Sequence, residues 1–151
     1  FFLKILYLFT VRMKKIYYLV PLLFLLIFTS CKINQIKNGE KTGRWIYKDS
    51  ILNIVSKSKG RYKNGFEVGT WKDYLGEGLI TKRKYKDSVC YTTDYHHNGQ
   101  IRAVGISKMI TDSTTIHWFL SGEWKFYDSE GVLLGTKIYE KGEPILETYT
   151  D

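Results

Sequence analysis

The chain counts 151 residues, with 23 lysines and arginines against 15 aspartates and glutamates, a formal charge of +8, and two cysteines. That length accommodates one domain besides a leader, and if one of the two cysteines, Cys31, is modified, Cys90 has no partner for an intrachain disulfide. Without Lys4, Arg12, Lys14 and Lys15, 19 cations face 15 acids, an excess of 4 that favours an anionic surface without demanding one.

In chain order, Met13 is the first plausible start, so residues 1–12 read as text from upstream of it. From there Lys14-Lys15, the apolar run Ile16–Phe28 and the small residues Thr29-Ser30 make a signal peptide over residues 13–30, expected to form a signal helix. Phe28-Thr29-Ser30-Cys31 resembles the lipobox of bacterial lipoproteins, although Phe28 stands where an aliphatic residue is usual. The resemblance implies that Cys31 is diacylated and becomes the mature amino terminus. The rival is an uncleaved anchor, but Ile16–Phe28 spans 13 residues, short of the roughly 20 that a spanning helix needs. Residues 31–37 read as a tether, too short and polar to form an element. The tether has no acidic run, which points to the periplasm rather than the cell surface.

The domain, residues 38–151, opens on its organising unit. Lys37-Asn38-Gly39-Glu40-Lys41-Thr42-Gly43-Arg44-Trp45 returns as Lys63-Asn64-Gly65-Phe66-Glu67-Val68-Gly69-Thr70-Trp71, and its Gly-x-Trp core returns again as Gly122-Glu123-Trp124. A fixed period of this size means a stacked array of one small unit. The segments between the glycines are rich in Tyr, Trp, Ile, Thr and Val, which predicts strands and tight turns throughout. Expected strands include one around Trp45 and Tyr47, then Ile51–Ser56, Lys59–Lys63, Leu79–Lys86, Val89–Tyr95, Ile101–Met109, Thr115–Leu120, Val132–Glu140 and Leu146–Tyr149. Asn-Gly and Lys-Gly pairs predict two-residue hairpins, while Tyr95–Gly99 and Tyr127–Gly131 predict four-residue loops that end on glycine. Within the repeat, glycine is expected to let rings lie across neighbouring strands, where a side chain on Gly43 or Gly69 would collide. One unit is degenerate, with Tyr91-Thr92-Thr93-Asp94-Tyr95 where Gly-x-Trp belongs.

These features resemble the variant MORN repeat family. The likeness rests on Gly43, Trp45 and Tyr47; Gly60, Tyr62 and Gly65; Gly69, Trp71 and Tyr74; Tyr95, Asn98 and Gly99; Gly122, Trp124, Phe126, Tyr127 and Gly131; and Gly135, Tyr139 and Gly142. It implies an elongated single-layer antiparallel β-meander of hairpins that serves as a binding or scaffolding surface, sometimes labelled antitoxin-like in bacteria. The expected class is therefore all-β.

No residue set argues for catalysis. His96, His97 and His117 lack fixed convergence for a metal, the carboxylates from Glu123 to Glu147 are scattered, and no cofactor motif is present. Cys90 reads as a small buried residue. Trp45, Trp71 and Trp124 are core aromatics or, alternatively, an exposed binding platform. Lys82, Lys84 and Lys86 share one face of a strand and Arg83 and Tyr85 the other. The lysines either protect an edge strand or meet lipid head groups or an acidic partner. The function expected is a lipid-anchored envelope module that binds a protein, with no nucleic acid and no small-molecule substrate. The alternatives are a structural envelope component or an antitoxin-type immunity protein.

Overall fold

Asparagine and glycine decide where the chain reverses. Asn38-Gly39, Asn64-Gly65 and Lys141-Gly142 each hold both residues at positive φ, between 50° and 91°, as a two-residue hairpin with the strands' own twist requires. Between reversals run ten strands: β1 Gln35–Lys37, β2 Glu40–Ile51, β3 Ile54–Lys63, β4 Phe66–Leu75, β5 Gly78–Lys86, β6 Val89–Tyr95, β7 Ile101–Thr111, β8 Ile116–Tyr127, β9 Leu133–Glu140 and β10 Glu143–Tyr149. They pair antiparallel in chain order, as one open sheet. The computed structural model describes residues 32–51, 53–111 and 116–150, and no helix occurs among them. The all-β meander of hairpins is therefore the fold. The expected signal helix and Cys31 lie outside the described residues.

Four expectations are corrected. The stretch expected to be a tether contributes β1 to the sheet, because Asn34 supplies a pairing that polarity alone does not reveal. Its side chain bonds both the amide and the carbonyl of Ile46, at 2.8 and 3.0 Å. The strand expected over Ile51–Ser56 instead spans a reversal, with Asn53 at φ 66°. The gap expected between Ser56 and Lys59 lies inside β3, and the strand expected to end at Leu120 runs on through Gly122 and Trp124 as β8. Finally, β5 lies between β4 and β6, so Lys82, Lys84 and Lys86 guard no edge.

The glycines stay inside strands because the sheet bulges there. Opposite the single residue Gly60, β4 places three, Gly69, Thr70 and Trp71. Opposite Gly105, β8 places Gly122, Glu123 and Trp124. Gly69 and Gly122 sit at φ 66°, and Gly43 in the first copy at 74°, a conformation that glycine adopts at little cost. The bulge lays the indole flat on the facing glycine, so that a Cβ on Gly60 or Gly105 would sit inside the Trp71 or Trp124 ring. Steric need thus belongs to Gly60 and Gly105. The collision expected at Gly43 and Gly69 does not arise, since both have open space around them.

Each indole N–H then reaches the carbonyl just beyond its glycine: Trp71 donates to Arg61 at 3.1 Å and Trp124 to Ile106 at 2.9 Å. Trp45, whose preceding strand is only β1, turns instead to Thr42 at 3.0 Å. In this way a sheet without a second layer among the described residues still builds a core. Trp71 is fully buried, and Trp45, Trp124, Cys90 and Ala103 nearly so.

Candidate functional site

All three indoles lie on one face. Trp71 is covered by Tyr47, stacked at 6.3 Å, and by Tyr62, edge-on at 5.1 Å, while Tyr62 also meets Trp45 at 5.4 Å. Over this cluster sits the Lys41 ammonium, 5.2 to 5.4 Å from the rings of Trp45, Tyr47 and Tyr62. Further along, Trp124 packs with Phe126 and Tyr139. The rings form the floor of the face and leave little indole for a ligand. What the face presents is the gap between the two clusters.

That gap follows from the degenerate unit. Register aligns Trp45 with Gly60 in β2 and β3, and Thr92 with Gly105 in β6 and β7, so Thr92 stands where the pattern calls for an indole. The pairing of β5 with β6 runs without a bulge, as expected where no Gly-x-Trp is inserted. The missing ring leaves a groove of about 540 Å³ lined by Tyr62, Phe66, Glu67, Arg83, Tyr85, Cys90, Thr92 and Trp118, among others. Its rim is apolar and open, with Phe66 50% and Trp118 39% exposed. Trp118 meets Tyr85 edge-on at 5.3 Å.

A polar network forms one wall. Arg83 reaches Glu67 at 3.5 Å and Asp73 at 2.9 Å, and Asp73 accepts from Ser58. The Tyr85 hydroxyl donates to Glu67, as does that of Tyr62 at 3.4 Å. Burial, then the bond to Glu67, pushes the Tyr85 hydroxyl far above its ordinary value, and burial with the contact to Tyr47 does the same for Tyr62. Both therefore stay neutral and spend their protons on Glu67. Burial also pushes the Cys90 thiol up, which suits a packed side chain rather than a nucleophile.

The reverse face differs sharply in charge. Register sets Lys48 against Lys57, Lys59 against Lys72, and Lys72 against Lys82. Lys84 and Lys86 continue the array on β5, exposed like Lys82 and alternating with half-buried Arg83 and Tyr85. The acids of β2–β4 beyond Glu40, namely Asp49, Glu67 and Asp73, alternate onto the tryptophan face. Among the described residues none of these lysines joins an ion pair. Like charges placed directly opposite destabilise a sheet.

His96 and Asn98 hold the loops. His96 bonds the Tyr127 carbonyl at 2.9 Å and Asn98 the Ser129 carbonyl at 2.8 Å, which ties the two four-residue loops together; Gly99 and Gly131 close them at φ 85° and 88°. Among the described residues no three of His, Cys, Asp and Glu converge as metal ligands. No protein-family model, curated protein or solved structure matches the chain. Sequence reasoning found the degenerate unit and the lysines of β5. It missed Phe66 and Glu67, which Trp118 meets only from far along the chain, and it missed Lys59 and Lys72, whose row exists only across strands.

Proposed function

We propose that the chain is a lipid-anchored recognition module of the bacterial cell envelope, facing the periplasm, and that its sheet binds another protein without performing a reaction. The observation that carries this reading is the groove. Where the pattern loses its indole, the tryptophan face leaves a concave, aromatic-rimmed surface of the kind that receives anchor side chains. A photo-crosslinking residue placed at Phe66 should capture a distinct protein in cells, whereas one at exposed Val132 should not. Ladders of the chain itself at both positions would favour the structural alternative.

The anchor at Cys31 belongs to the same proposal and rests on the lipobox resemblance, as the repeat character rests on the MORN resemblance. Metabolic labelling with a palmitate analogue should mark the parent and not Cys31→Ala; equal labelling would remove the anchor. The lysine array supports a second binding surface. Held near a membrane by two acyl chains, a face that sets cation against cation suits lipid head groups or an acidic partner, and its binding should weaken as salt screens it.

A further inference from the structure

The tryptophan face already shows what its rings hold. At the Trp45, Tyr47 and Tyr62 cluster the occupant is the chain's own Lys41, whose ammonium lies over all three rings and donates to the Tyr47 hydroxyl at 2.9 Å. The groove repeats that chemistry, but its one cation, Arg83, bonds Glu67, Asp73 and the Tyr85 hydroxyl in the wall and is not held over the rings as Lys41 is. Phe66, Tyr85 and Trp118 supply ring surface, and the charged lining is Glu67 and Asp87 against Arg83 alone. The guanidinium is shared between Glu67 and Asp73, so one cation answers two carboxylates while Asp87 joins no ion pair among the described residues, and the groove carries an excess of negative charge beside electron-rich ring faces. Both tyrosine hydroxyls are committed to Glu67 and offer little to a neutral, hydrogen-bonding ligand such as a sugar. Rings and carboxylates together attract a cation on an apolar stem.

We propose that the groove takes a lysine or arginine side chain from a basic segment of the partner protein, docking it as the neighbouring cluster docks Lys41. The inference rests on the groove being the recognition surface and adds the chemistry of what enters it. Geometry and charge carry it jointly: the missing indole makes the space, and Glu67 and Asp87 set its sign.

The test uses the full chain and a peptide of alternating lysine and alanine, with two controls: the same peptide with acetylated lysines and one with glutamate in their place. Tryptophan emission reports binding, and Trp118→Phe shows that the signal arises at the groove. The lysine peptide should bind, more weakly as salt rises, and both controls should fail. Asp87→Asn should weaken it about threefold, the scale of a single attraction between a cation and an exposed carboxylate. Because Glu67→Gln disturbs a folded network, Phe66→Ala on the exposed rim, which keeps the reporting indole, serves as the second variant and should lose binding with an unchanged melt. Equal binding of the acetylated peptide, or preference for the glutamate peptide, overturns the inference. If crosslinking at Phe66 still captures a partner after that outcome, the groove remains the recognition surface and only its ligand chemistry falls.

Discussion

At the scale of single residues, the glycines separate into two kinds that the sequence does not distinguish. Gly60 makes room for a ring, and Gly43 makes a left-handed turn of the backbone in open space. Gly60→Ala should therefore cost about 3 kcal/mol, the upper part of the overpacking range, because an indole fixed by its own hydrogen bond has no way to retreat. Gly43→Ala should cost about 1 kcal/mol, the strain of a Cβ at positive φ. Urea melts of the two variants check the order, and equal losses would mean that the Trp71 ring shifts freely. Tyr85 gives a pH prediction. Its hydroxyl pKa is raised in the folded chain, so its contribution is fully present below the ordinary tyrosine value near 10 and is lost as pH rises beyond it, because the unfolded chain gives up the proton first. Stability measured from neutral to strongly alkaline pH should stay level and then fall, and Tyr85→Phe should flatten the fall.

Hairpins are the most legible elements, because their turn residues and their alternation are local signals. Asn64-Gly65 and the Tyr95–Gly99 loop lie where the sequence puts them. Legibility fails where one residue type has two uses. Glycine taken as punctuation at Gly122 cuts β8 short, since a bulge and a chain reversal look alike until the facing strand is known. The reversal at Asn53 has no glycine to announce it. The groove is legible as an absence, the lost tryptophan, but its walls depend on register across six strands. One turn carries a misfit that can be repaired: Lys141 takes φ 50° where its two counterparts use asparagine. Lys141→Asn should stabilise the sheet by about 0.5–1 kcal/mol, read as a higher midpoint in denaturant with an unchanged slope.

At the scale of the whole sheet, lysines crowd the reverse face of β2–β5, and the crowding has a cost. Lys72 stands between Lys59 and Lys82 in one cross-strand row. Lys72→Glu turns two repulsive pairs into attractive ones and should stabilise the fold by about 1 kcal/mol at low salt, with the gain shrinking as salt is added. The same variant should bind anionic vesicles less well than the parent, a trade of stability against binding that a neutral surface would not show. Strand order identical to chain order has one more consequence. Since the backbone ladder of each described strand joins only its neighbours in sequence, a pull on the amino end would open the ladder between β1 and β2 and then move on, peeling the ribbon hairpin by hairpin instead of shearing many strands together. A molecule tethered by that end would lengthen in small steps under load, and its short-range pairings would let it zip closed again quickly once the tension is released.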